Sequence, residues 1–189
     1  GPVIRFYHDN DIPIYDVITA GAFEGGDFQV VKPGSILCGF SDVDRTQKVA
    51  VDQLRSWIEP EGWELKTYQF DPFFVHLDVF FAMLTEGLAA MCTEVVEPEL
   101  VEWVESRSIE ILEVTFEDAM CLGCNVVALG HDRVMIPSEA KNLHELCLAN
   151  GLTVYAPDIS MISTGGGSLH CLCQPLHRDP VSFLRSLPT

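Results

Sequence analysis

The chain has 189 residues, with 28 Asp and Glu against 11 Lys and Arg and a formal net charge of −17. Such a charge, with a pI near 4.5, argues against binding nucleic-acid backbones or anionic membranes, which needs clustered Lys and Arg, and leaves cationic small molecules open. An apolar fraction of 48% and a mean hydropathy of +0.20 exclude a disordered acidic tail and supply a real core for one domain.

In chain order, Gly1-Pro2 matches a protease scar, and IPIYDVI (12–18) reads as the closing strand of a unit whose beginning is absent. FQVV (28–31) and SILCGF (35–40) flank the turn pair Pro33-Gly34 and read as a hairpin. A helix is expected from about Asp44 to Ile58, with Ala50, Leu54, Trp57 and Ile58 on one face. Pro60 and Gly62 end it, and WELKTYQF (63–70) follows as a strand. The order then recurs. VFFAMLT (79–85) and LAAMC (88–92) turn at Glu86-Gly87, Pro98 opens a helix to about Val104, and IEILEVT (109–115) returns as a strand. NVVAL (125–129) and RVMIP (133–137) turn at Gly130-His131-Asp132, Ser138 caps a helix to Asn150, Gly151 stops it, and LTVYA (152–156) is the strand.

The pattern is therefore three ββαβ units, at about residues 20–70, 71–118 and 119–175. An ordinary α/β domain with hairpins fits the same pattern. Asp71, His76, Asp78 and Glu86 interrupt the best candidate for a membrane span. No basic segment precedes an apolar run, so no signal peptide is expected. Most of the seven cysteines lie in apolar runs, such as Cys38 in SILCGF and Cys147 in LHELCLA. That usage points to buried, reduced thiols in a cytoplasmic protein, not a secreted disulfide framework.

The chemistry-bearing residues fall between the units. Ala22-Phe23-Glu24-Gly25-Gly26-Asp27 places two carboxylates three apart on a glycine turn. A solvated acidic turn has the same composition. In His76-Leu77-Asp78 an extended backbone puts imidazole and carboxylate on one face, an arrangement suited to general acid–base work or to a satisfied strand-edge His. Thr164-Gly165-Gly166-Gly167-Ser168-Leu169-His170-Cys171-Leu172-Cys173 delivers a thiol onto a short strand, with Cys173 on the side of Cys171 and His170 opposite. No Lys follows the glycines, which disfavours a phosphate loop. Cys121-Leu122-Gly123-Cys124 with Cys171 and Cys173 is conceivable as a zinc site, but the pairs lie in apolar runs and no metal is expected.

Taken in this order, FEGGD, HLD and GGGSLHC resemble the guanidino-group-modifying superfamily with the pentein fold, which includes arginine deiminase, dimethylarginine dimethylaminohydrolase, agmatine deiminase and the amidinotransferases. The similarity runs from about Ala20 to Pro175. It implies an α/β propeller of ββαβ units, of which about three of five lie in this chain. It also implies a thiol-dependent hydrolase of arginine-like guanidino or ureido compounds, working without cofactor or metal through a covalent thiouronium. By resemblance Cys171 is the nucleophile, His76 the acid–base, and Glu24 and Asp78 the guanidinium holders. Phe23, Asp27, Arg45 and Gly167 are further substrate-side positions.

Arg45, in GFSDVDRT, resembles the family's turn whose arginine receives the substrate α-carboxylate, although this turn is about two residues longer. An ion pair with Asp42 or Asp44 is its structural alternative. GGGSLHC is closer to the agmatine deiminase form, so the substrate stays open between arginine, methylarginine, agmatine and citrulline. The family's first acidic guanidinium-binding residue, which lies ahead of FEGGD, has no match. An open propeller exposes strand edges, so the chain is expected to associate with copies of itself or with a missing N-terminal segment. An amidinotransferase or arginine dihydrolase is possible within the same chemistry. A non-catalytic pentein acting through protein contacts is the alternative of another class.

Overall fold

A computed structural model describes residues 1–43 and 45–176. Helix α1 (Pro2–Asp9) lies on the surface with no buried residue. The strands that follow form three separate three-stranded sheets. The first contains β1 (Phe28–Lys32), β2 (Ser35–Phe40) and β3 (Glu64–Gln69), with helix α2 (Lys48–Ile58) between β2 and β3. The second contains β4 (Phe81–Thr85), β5 (Leu88–Met91) and β6 (Glu110–Glu113), with α3 (Pro98–Glu105) before β6. A short helix, α4 (Phe116–Met120), leads to the third, made of β7 (Val127–Gly130), β8 (Arg133–Met135), α5 (Lys141–Ala149) and β9 (Thr153–Tyr155). Two short helices follow, α6 (Ser160–Ser163) and α7 (Leu169–Leu172).

Each sheet repeats one pairing rule. The first two strands pair antiparallel across a tight turn, and the third returns parallel to the middle strand after a helix. A parallel return needs a long crossover, which the helix supplies. The expected ββαβ order is thus present three times. The first strands approach one another in turn, β4 lying against β1 and also against β7. The middle strands β2 and β5 are buried along their whole length. In β2 the alternation of side chains divides the core. Leu37 joins a large cluster shared with the second and third units, while Ile36, Cys38 and Phe40 pack under α2 with Val51, Leu54 and Leu65. Burial pushes the Cys38 thiol up to about 12 and Cys147 likewise to about 12. Both are packing residues.

Three expectations are corrected. Residues 12–18 form no strand. The chain beside them is held by side chains of α2 instead, Gln53 Oε1 accepting from the Thr19 and Ala20 amides at 3.0 and 2.9 Å. The α2 helix begins at Lys48, because residues 41–46 form a turn with Asp42 at φ 64°. The Asp42 carboxylate accepts from the Lys48 amide at 2.9 Å and supplies a cap from outside the helix. Asp44, the expected start, lies outside the described residues. In the third unit residues 137–140 turn first, and the helix starts at Lys141, not after Ser138. Among the described residues no helix is long and apolar enough to cross a membrane.

Polar contacts join the units. Arg107 pairs with Glu64, donates to Ser35 Oγ at 3.3 Å and stacks 3.7 Å over the Trp103 ring, binding the second unit to the first. The Arg107 guanidinium holds the Glu64 carboxyl down to about 2. A carboxyl depressed in the folded state stabilises above its ordinary value near 4.5, and that stabilisation is lost as pH falls toward 2. Glu64 is half exposed, so solvent screening limits the pair to under about 1 kcal/mol, and stacking on Trp103 adds about as much. Arg107→Ala should therefore lower Tm at pH 7 by about 2–6 °C. The gap from wild type should narrow on acidification, as followed by circular dichroism melts from pH 7 to pH 2.5. A gap that does not change with pH would assign the effect to stacking alone.

Candidate active site

The site begins with the turn at residues 22–27. Gln47 exchanges hydrogen bonds with Ala22 through its backbone at 3.0 Å and its side chain at 3.1 Å, and buried Thr46 accepts from the Glu24 amide at 3.0 Å. Gly25–Asp27 then make one 3-10 turn that buries Asp27 completely. Its Oδ1 accepts from the Leu77 amide at 2.8 Å, so the first unit grips the connection that carries His76 and Asp78. Burial pushes the Asp27 carboxyl up to about 6, against the Thr46 hydroxyl and the Leu77 amide, which favour the charged form.

Val75, just ahead of His76, has φ 64° and ψ −56°, and the His76 amide closes on Phe74 O at 2.6 Å. This is a γ-turn of the rare, strained kind around a β-branched residue. His76 is extended, and Leu77–Val79 form a 3-10 turn, so residues 76 and 78 do not alternate as in a strand. The acid paired with His76 is therefore not Asp78. His76 Nε2 lies 2.5 Å from Glu24 Oε2, and Arg45 Nη1 donates to the same oxygen at 2.9 Å. Burial pushes the Glu24 carboxyl up, but the bonds from His76 and Arg45 outweigh it and hold it below the ordinary carboxylate range. Arg45 thus pairs with Glu24, and Asp42 is taken up by the α2 start.

Asp78 is buried, and its Oδ2 lies 2.8 Å from His170 Nδ1. Its Oδ1 is buried without a hydrogen-bond partner. Both 76 and 78 press on Gly26. A Cβ there would stand 2.9 Å from His76 Cγ and 3.0 Å from Asp78 Oδ2, so only glycine lets the acidic turn and the His turn approach this closely.

The thiol does not arrive on a strand. Cys171 lies in α7 and is exposed, beside His170. This corrects the expectation that His170 points away from the site. Cys173 follows the helix, also exposed. Gly167 stays close to the thiol residue, a Cβ there lying 3.6 Å from Cys171 Cβ. Phe23 packs edge-on against Phe28, with ring centroids 6.5 Å apart, at the margin of the core under α2. It is not in the polar cluster.

Cys124 is fully buried while Cys121, Cys171 and Cys173 are exposed, and the described residues contain no group of three or more His, Cys, Asp or Glu placed to hold a metal ion. Sequence reasoning overlooked Asn125. It is fully buried and bonds the Cys171 sulfur and the backbone amides of His170 and Cys171. A polar residue opening the apolar run NVVAL was the available signal.

Carboxylates and two imidazoles from separate connections meet here with an exposed thiol in α7, and the chain's class is the pentein superfamily of guanidino-group-modifying proteins. The chain belongs to the family described as N,N dimethylarginine dimethylhydrolase, eukaryotic, which it matches over residues 11–178. A relative from Bacillus subtilis (strain 168), the uncharacterized protein YkgA, is 26% identical over 173 residues, covering 92% of this chain. The chain spans 58% of that relative's length. Among solved structures, dimethylarginine dimethylaminohydrolase of Pseudomonas aeruginosa, a C249S mutant with citrulline, is similar with TM-score 0.60 and 21% identity over 74% of this chain and 50% of that one. The N-terminal domain of the cyanobacterial arginine dihydrolase ArgZ, bound to substrate, reaches TM-score 0.75 at 20% identity over 89% and 62%. The amidinotransferase StrB1 of Streptomyces griseus reaches 0.70 at 16% over 86% and 48%. These likenesses establish a common fold.

Two consequences are measurable. A carboxyl whose folded value is raised to about 6 costs stability as pH rises from its ordinary 3.8, because the unfolded chain ionises first. The full cost is up to about 3 kcal/mol. Asp27→Asn, which keeps the acceptor for Leu77, should melt higher than wild type at pH 7.5 and alike near pH 4. A lower melting point at pH 7.5 would contradict this. Val75→Gly relieves backbone strain of about 1–3 kcal/mol at the entropy cost of a glycine, about 1 kcal/mol. Tm should rise by a few degrees while any His76-dependent turnover falls, and a drop in Tm would show the turn to be unstrained.

Proposed function

We propose that this chain carries the nucleophile and acid–base of a thiol-dependent hydrolase acting on the guanidino or ureido carbon of arginine-like substrates. The observation that carries the reading is the convergence of Glu24, His76, Asp78, His170 and Cys171, from three connections distant in sequence, onto one cluster around Gly26 and α7. Family membership and the fold shared with hydrolases and amidinotransferases support it.

The exposed Cys171 thiolate attacks the central guanidinium carbon, forming a C–S bond. His76, oriented by Glu24, gives a proton to the departing amine as the C–N bond breaks. The thiouronium is then attacked by water, whose proton His76 takes, and the C–S bond breaks to release the ureido product and regenerate the thiolate. Asp78 and Glu24 hold the cationic nitrogens, since carboxylates match a planar donor fork. Asp27 supports this set by fixing the His76 connection, and Arg45 shares Glu24. A small cationic guanidino compound is the partner, with assembly into a homo-oligomer or with further units of the propeller. An acceptor amine in place of water would make the same residues an amidinotransferase.

Arginine, methylated arginines, agmatine and citrulline should be offered to the intact protein, with ammonia, amines and ureido products followed. Cys171→Ser should reduce turnover at least about a thousandfold, as expected for loss of a covalent nucleophile, without changing the circular dichroism spectrum. Full activity in that variant would refute the mechanism.

A further inference from the structure

Asn125 is fully buried at the entrance to β7, and every polar atom of its side chain is engaged with the thiol segment. Its Oδ1 accepts from the His170 amide at 2.9 Å and from the Cys171 amide at 3.3 Å. Its Nδ2 donates to Cys171 Sγ at 3.3 Å. The orientation of this amide is fixed by its partners. Two backbone N–H groups demand an oxygen, and the reversed amide would set donors against donors, leaving the Cys171 N–H without its acceptor and the His170 N–H only its 3.4 Å bond to the Asn125 carbonyl. The NH2 group must then face the sulfur.

We propose that Asn125 is the positioning residue of the nucleophile, holding α7 by its backbone and stabilising the thiolate of Cys171 over the thiol. The inference rests on Cys171 being the nucleophile. The physical ground is direct. An N–H donor bonds a sulfur anion more strongly than a neutral thiol, so a buried amide aimed at Sγ favours the charged form. The amide carries no charge and does not titrate, so its influence persists across the pH range in which the facing groups change state. Those groups are His170 on α7, Asp78 beneath it, and His76 and Glu24 across Gly26. One side chain also couples two properties otherwise independent, where the sulfur stands and how readily it ionises.

Two variants separate these roles. Asn125→Asp keeps an acceptor for the two amides but turns a carboxylate oxygen toward Sγ, while Asn125→Ser keeps a small polar group on a shorter side chain and removes the NH2 that faces Sγ. Iodoacetamide alkylation of Cys171 should be measured from pH 5 to pH 10 in the intact protein, with Cys171→Ser as the blank. In both variants the profile should move to higher pH, and alkylation at pH 7 should slow by about ten- to hundredfold, the range for a lost hydrogen bond to a charged group. Turnover should fall through kcat, with KM little changed. In nitrogen-15-labelled wild-type protein the Asn125 side-chain amide resonance should shift with the same pH midpoint as alkylation, a reading that needs no variant. An unshifted profile in either folded variant, or an amide resonance indifferent to that midpoint, overturns the proposal. Full turnover in Cys171→Ser would instead remove the nucleophile assignment beneath it.

Discussion

The hydrogen bond from the Leu77 amide to the buried carboxylate of Asp27 is the joint on which the site depends. It ties the 3-10 turn that ends the acidic loop to the one that begins the second unit, and thereby sets Glu24 against His76. Burying a carboxylate is costly, and its pKa records that cost. The cost is tolerated because the bond fixes two loops at once, with Gly26 leaving no gap between them. Besides this joint, the Glu24–His76 contact spans the two loops.

The repeat explains why such joints are needed. Each sheet of three strands is too small to bury its own faces, so neighbouring units share a core through the first and middle strands. Apolar burial holds the units side by side but does not set the loops between them to within a fraction of an ångström. Polar contacts do so. Arg107 with Glu64, Thr85 with Asp132 at 2.9 Å, and the Leu143 amide with Asp118 at 3.0 Å each join parts distant in sequence. The chemistry-bearing loops lie where these units meet.

Much of this was legible in the sequence. Apolar alternation in FQVV and SILCGF and the turn at Pro33-Gly34 located the first hairpin, and Gly62, Gly87 and Gly151 marked ends that the structure also has at positive φ. Residues 12–18 misled because apolar alternation does not reveal whether a backbone partner exists, and the Gln53 side chain anchors the chain only beyond them, at Thr19 and Ala20. The motifs named Glu24, His76 and Asp78, which lie together around Gly26, but their pairing was out of reach. Reading 76–78 and 169–173 as extended placed side chains by a period of two, whereas both are tight helical turns that rotate His170 onto Asp78. Asn125 escaped because a lone amide at the head of an apolar run has no motif; its partners are some 45 residues away.

The short helix that carries the thiol buries little beyond Leu169 and the preceding Ser168. Its opening therefore exposes almost no apolar surface, and the free energy that separates an assembled site from a disassembled one is only a small part of that separating native from unfolded chain. Two stabilities coexist in the molecule. The interlocked sheets share one core and give way together, while α7, with the exposed Cys171, has few buried contacts to lose on opening, so that the order of this helix and persistence of the fold respond to different disturbances.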